Sequence, residues 1–144
     1  MAEHTGVNEF TVRDVTIHRR GTLASFVRHI AEAAAGLRHF FERTQRSYLR
    51  FNYLGEWHSH PLYSTQPSRQ DDASMLEIVE DVAVGATFAV LLVVKLTSDG
   101  QLVGSAHTYL PDGRKHVSML SILGGENALP QETAGHDMKT QEHP

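Results

Sequence analysis

The residues of this chain best suited to chemistry lie in Gly55-Glu56-Trp57-His58-Ser59-His60-Pro61 and its continuation Pro67-Ser68-Arg69-Gln70-Asp71. Two histidines at i and i+2 near the end of a strand project from the same side of the pleat. Two imidazoles on one face can hold one metal ion. Asp71, at the start of the next helix, returns toward the same edge. Two neutral imidazoles and one carboxylate leave a fourth tetrahedral position for water, the pattern of an open hydrolase site rather than a closed structural one. Two plainer readings stand beside it: a pair of hydrogen-bonded histidines at a strand end, and a reciprocal helix cap between Ser68 and Asp71. The cap and the metal site are compatible, because one carboxylate oxygen can ligate while the serine hydroxyl points into the site.

Composition narrows the chemistry. The chain has 144 residues, ten histidines and no cysteine. Disulfides, cysteine nucleophiles, cysteine-ligated zinc and iron–sulfur clusters are therefore excluded, and any metal must rest on histidine and carboxylate. With so many histidines, about 0.7 His-x-His pairs arise by chance, so the pair alone says nothing. Requiring Pro61, Ser68 and Asp71 at their spacings lowers the chance to roughly one in ten thousand. No His-Glu-x-x-His occurs, which excludes a thermolysin-like site.

The elements that must position these residues follow from periodicity. Phe10–Ile17 alternates apolar and polar residues, which predicts a half-buried strand. His18–Thr22 reads as a loop. From about Leu23 to Tyr48, Phe26, Ile30, Ala33, Leu37 and Phe40 fall at helical spacing, with Gly36 allowing close packing. Phe51–His60 is extended. A second helix begins at Ser68, with Met75, Leu76 and Val79 as its buried stripe. Thr87–Leu96, Leu102–Leu110 and Lys115–Leu123 predict a three-stranded meander, with Asp99-Gly100 and Asp112-Gly113 as two-residue hairpin turns. The order implies one mixed sheet with helices packed on it, an α/β domain over residues 1–124. Residues 125–144 are polar and patternless and read as a disordered tail.

Net charge is −4. Basic residues concentrate between Arg13 and Arg50, spaced out and without an aromatic platform, which favours a solvated helix face over a nucleic-acid surface. The longest apolar run, Phe88–Val94, is far too short to span a bilayer, and Met1–Thr11, without a basic flank and apolar block, is not expected to be a signal peptide. A cytoplasmic protein without membrane attachment is the expectation.

The extended constellation resembles the JAMM (MPN+) metalloprotease motif of the JAB-domain family, bacterial type. That motif is His-x-His-Pro with seven residues between the second histidine and a Ser, then two residues and Asp. The match is His58-Ser59-His60-Pro61, Ser68 and Asp71. Tyr53-Leu54-Gly55-Glu56-Trp57, the stretch Ser25–Arg28 and the run Phe88–Val93 also resemble the family, over about residues 8–122. The resemblance implies a JAB/MPN-type mixed β-sheet flanked by helices, a deaminase-like architecture. A deaminase itself is excluded by the lack of cysteine. It implies zinc (Zn2+) held by His58, His60 and Asp71, with Ser68 as a catalytic hydrogen-bond donor to the bound water or the oxyanion. It further implies peptidase or isopeptidase activity at or after the C-terminal tail of a ubiquitin-like protein, in deconjugation or maturation. Such domains are often encoded with relatives of ubiquitin-activating and ubiquitin-conjugating enzymes. An extended substrate tail is expected along an exposed sheet edge.

The family also uses a glutamate upstream as general base. Glu3, in Glu3-His4-Thr5-Gly6-Val7, stands where that start is faintly matched, but the N-terminal hairpin is about eight residues short of the family's arm. Three readings follow: Glu3 acts from a shortened hairpin, the true segment lies outside this chain, or the domain is a metal-binding interaction module without catalysis. Glu56 reads as a residue orienting an imidazole, and Glu9 as solvated. Trp57 is expected on the opposite sheet face, in the core. His107 and His116 read as surface or packing residues, while His4, His136 and His143 carry no inference. Leu62-Tyr63-Ser64 is placed beside the metal, within reach of substrate.

Overall fold

The computed structural model describes residues 1–17 and 30–123. The expected loop at His18–Thr22, the start of the first helix and the tail over 125–144 lie outside those residues.

The chain opens with a hairpin. β1 (Ala2–Gly6) pairs antiparallel with β2 (Glu9–Val12) across Val7-Asn8, where Asn8 adopts φ 56°. Asparagine tolerates that left-handed conformation better than most residues. The strand expected to reach Ile17 stops at Val12. There the Met1 carbonyl takes the N–H groups of both Arg13 (3.1 Å) and Asp14 (3.3 Å), and the Met1 amino group donates to the Asp14 carbonyl at 3.0 Å. α1 (Ile30–Arg43) follows, with Phe40 only 1% exposed and edge-on to Phe51 at 6.1 Å. Gly36 lies against the segment after β2, where an added Cβ would sit 2.7 Å from the Thr16 methyl.

One extended run was expected over Phe51–His60. It divides into β3 (Phe51–Asn52), which joins β1, and β4 (Gly55–Ser59), which begins a second sheet. The fold thus has two sheets rather than one: a three-stranded sheet in the order β2-β1-β3, and a four-stranded mixed sheet, β4-β5-β6-β7. Gly55 makes the division feasible. Its φ is 157°, and a Cβ there would lie 1.8 Å from the Val90 carbonyl oxygen, so any side chain would force β4 and β5 apart.

α2 (Arg69–Glu80) connects β4 to its parallel neighbour β5 (Ala89–Leu96), and β6 (Leu102–Tyr109) and β7 (Lys115–Ser118) continue antiparallel. Parallel neighbours require such a crossover. Met75, Ile78 and Val79 of α2 pack on Ala89, Leu91, Val93 and Tyr109, with Leu76 at the margin. Burial at i, i+3 and i+4 is the helical stripe, and it includes Ile78 in addition to the expected positions. α/β architecture with helices and a mixed sheet therefore holds.

Two details differ from expectation. The Asp-Gly loops contain three residues, because Thr97 N–H bonds Gln101 O (2.8 Å) and Leu110 N–H bonds Arg114 O (2.9 Å), with Gly100 at φ 80°. A two-residue type I′ turn needs φ > 0 at both central positions, and Asp99 does not adopt it. β7 ends at Ser118 rather than Leu123. Among the described residues, no helix is long and apolar enough to cross a membrane.

Candidate metal centre

The site forms at the carboxyl end of β4, where the chain leaves the sheet for the crossover. Open parallel sheets place ligands at that end. Register puts Glu56 beside Leu91 and His58 beside Val93, and His60 N–H continues the ladder to Val94 O at 2.9 Å. Glu56, His58 and His60 thus share the face covered by α2. Trp57 points to the other face, as expected, where its indole N–H donates to the Thr16 carbonyl at 3.1 Å.

Asp71 approaches from the first turn of α2. Ser68 is the N-cap: its Oγ accepts Asp71 N–H at 3.2 Å, and Asp71 Oδ2 accepts Ser68 N–H at 2.7 Å. This capping box leaves Asp71 Oδ1 directed at the histidines. His58 Nε2 is 3.5 Å from Asp71 Oδ1, His60 Nε2 is 3.7 Å from Oδ2, and the two Nε2 atoms are 3.0 Å apart. Ligand bonds of about 2.0–2.1 Å in a tetrahedron place neighbouring donor atoms about 3.3 Å apart. The observed separations lie near that value, so the three side chains are close enough to share one metal ion.

The protonation states fit as well. His60 Nδ1 is 2.8 Å from the Ser64 carbonyl, which can only accept. Nδ1–H is therefore the donor to Ser64, and Nε2 is turned toward the site. Burial lowers the pKa of His58, with the His60 charge adding to this and Asp71 and Glu56 opposing it. A neutral imidazole is what metal binding requires.

A family model of prokaryotic homologs of the JAB domain matches residues 5–108. The chain belongs to that family. No curated protein and no solved structure matches it. In this JAB domain, His58, His60 and Asp71 are the group among the described residues whose donor atoms converge as a metal site requires, all within 4.8 Å.

Other sequence-derived candidates fall as follows in the JAB domain. Glu3 is 6% exposed and engaged at both oxygens: Arg50 Nε donates to Oε1 and Arg13 Nε to Oε2, each at 2.7 Å. The two guanidinium groups, Arg50 first, hold its carboxyl below the ordinary range. It stands outside the converging group. Glu56 is half-buried and accepts the Tyr53 hydroxyl at 2.5 Å. Leu62 and Tyr63 are exposed, and Lys95 Nζ holds the Tyr63 carbonyl at 3.2 Å, which fixes this loop beside His60. His107 is a packing residue, 1% exposed, while His116 is at the surface.

Sequence reasoning missed Asp72. Its carboxylate accepts Tyr109 Oη–H at 2.6 Å and two contacts from Lys115 Nζ at 3.0 and 2.9 Å. Burial opposes its ionisation, but these donors outweigh it and lower the pKa. Burial, then Asp72, pushes the Tyr109 phenol far upward, so it remains a donor. The available signal was the polar alternation Ser105, His107, Tyr109 in a strand whose neighbour supplies core residues.

Proposed function

We propose that this JAB domain is a zinc-dependent peptidase or isopeptidase that hydrolyses an amide bond at or after the C-terminal tail of a ubiquitin-like protein. The observation that carries the reading is the convergence of His58, His60 and Asp71, whose donor atoms lie within 4.8 Å of one another and could hold one metal ion. Zinc bound there would lower the pKa of a coordinated water toward neutrality and polarise the scissile carbonyl. Ser68 Oγ uses a lone pair on Asp71 N–H, so its own proton is available to donate to the oxyanion. Glu56 is the residue we assign to accept the proton from the attacking water and return it to the leaving amine. It shares the face of His58, its charge acts on that imidazole, and Tyr53 Oη engages only its Oε1, whereas two arginines engage both oxygens of Glu3. Leu62 and Tyr63 offer an apolar rim to the substrate tail. Relatives of ubiquitin-activating and ubiquitin-conjugating enzymes are the proposed functional partners, in the cytoplasm.

A second reading, a metal-binding interaction module without catalysis, is favoured by the same engagement of Glu3. Cleavage of a ubiquitin-like fusion by zinc-loaded protein, beside Asp71→Ala and Glu56→Gln, separates the two. Cleavage lost in both variants supports the enzyme. Zinc binding by the wild type without cleavage supports the module.

A further inference from the structure

Ser105, His107 and Tyr109 alternate along β6, so their side chains share the face that meets α2 and the loop after β4. Each end of this polar row reaches a residue adjacent to the metal-binding apparatus. At one end, Ser105 Oγ donates to the Thr65 carbonyl. The preceding carbonyl, that of Ser64, holds His60 Nδ1–H at 2.8 Å. At the other end, the fully buried Tyr109 donates to Asp72 Oδ1 at 2.6 Å. The residue before Asp72 is Asp71. His107 lies between them, and its Nε2 is 2.9 Å from Ser105 Oγ. Ser105 has a single proton, which goes to Thr65. His107 Nε2–H must then be the donor to Ser105, and its buried Nδ1 keeps a lone pair with no partner among the described residues.

We propose that β6 is the fixture of the metal centre, with Ser105, oriented by His107, and Tyr109 as positioning residues for the loop that sets His60 and the helix end that carries Asp71. The two arms of the site come from successive parts of the chain, the loop after β4 and the first turn of the α2 helix that follows it. A shared rigid strand gives them a common reference, which a site held to within about 0.5 Å needs. Partners that orient metal ligands typically cost tenfold to a hundredfold in affinity when removed. This inference rests on the metal-binding reading.

The test is zinc affinity by competition with a chromophoric chelator, together with the visible spectrum of the cobalt form. The proteins are the wild type, Ser105→Ala, Tyr109→Phe, their double variant, His60→Ala and the core comparator Ile78→Val. Each β6 substitution is expected to weaken zinc about tenfold, and the pair about a hundredfold, because separate arms add. Cobalt bands should shift or lose intensity in the β6 variants. Ile78→Val, which touches only the apolar core, should leave affinity and spectrum unchanged, so general destabilisation is told apart from positioning. Should Tyr109→Phe fail to fold, Lys115→Ala perturbs the same Asp72 carboxylate from the surface. Affinities and spectra equal to wild type in the folded β6 variants, with binding abolished in His60→Ala, would overturn this inference alone. A wild type that binds no zinc would overturn the metal reading and this one with it.

Discussion

Ser68 and Asp71 bond each other reciprocally, Ser68 N–H to Asp71 Oδ2 at 2.7 Å and Asp71 N–H to Ser68 Oγ at 3.2 Å, so one carboxylate both caps α2 and faces the histidines. The reciprocal cap expected from the spacing is present, and it leaves the same carboxylate beside the histidines. Substitutions separate the functions. Ser68→Ala removes the cap acceptor and is expected to cost about 1 kcal/mol of stability. It also removes the proposed oxyanion donor, so kcat should fall with KM little changed. Asp71→Asn keeps a cap acceptor without charge. Its thermal stability is expected to stay near that of Ser68→Ala or above, while zinc affinity falls more than a hundredfold. Chemical denaturation and chelator competition read the two effects separately, and a parallel change in both would contradict the division.

The pair Glu3–Arg50, reinforced by Arg13, ties β1 to the start of β3 and to the segment after β2. A carboxylate held below its ordinary range stabilises the fold above that range and loses this contribution as pH falls through it, because the folded state takes up its proton later. Glu3→Gln is expected to lower the melting temperature near neutral pH and to flatten its fall in acid. Turnover per folded molecule should persist at moderate temperature. A variant of unchanged stability and no activity would make Glu3 the base instead.

His107 predicts a second pH dependence. Burial, with the Lys115 charge, holds its imidazole below the ordinary value, against the opposing pull of Asp72. Below about pH 6.5 the unfolded chain therefore binds more protons at this position than the folded one, and stability falls as pH falls. The melting temperature of the metal-free protein should drop less steeply between about pH 7 and about pH 5 in His107→Asn than in the wild type. Identical slopes would remove His107 from the account.

Gly55 sets the position of β4. Its missing Cβ allows contact with the Val90 carbonyl, where a methyl would stand 1.8 Å away. Gly55→Ala is expected to destabilise the protein by several kcal/mol or to prevent folding, since β4 cannot be pushed from β5 without moving His58. Comparison with Gly113→Ala, at a turn with nothing near it, checks that the effect is steric. Equal losses at the two positions would refute a steric cause.

The grouping of His58, His60 and Asp71 was more legible in the sequence than the sheets that carry it. The shared face of His58 and His60 and the return of Asp71 follow from strand alternation and helix capping, which are local rules, and the spacing of Pro61, Ser68 and Asp71 marked the group out. The helix stripe at Met75 and Val79 and the opposite facing of Trp57 were legible for the same reason. The division of Phe51–His60 into two sheets was not, because it depends on how closely Gly55 meets Val90, a contact 35 positions away in the chain. The end of β2 at Val12 depends on the bonds made by Met1, and the three-residue hairpin loops on backbone angles that Asp-Gly alone does not specify. The polar row Ser105, His107, Tyr109 gained meaning only once α2 and Thr65 lay against it.

The central claim is that His58, His60 and Asp71 form a hydrolytic metal centre. Its most direct measurement is cleavage of a ubiquitin-like fusion by metal-stripped protein during titration with zinc. Cleavage should be absent without metal, rise with zinc and level off at about one ion per chain, and His60→Ala should show neither binding nor cleavage. Cleavage that is indifferent to zinc, or that survives in His60→Ala, would contradict the account.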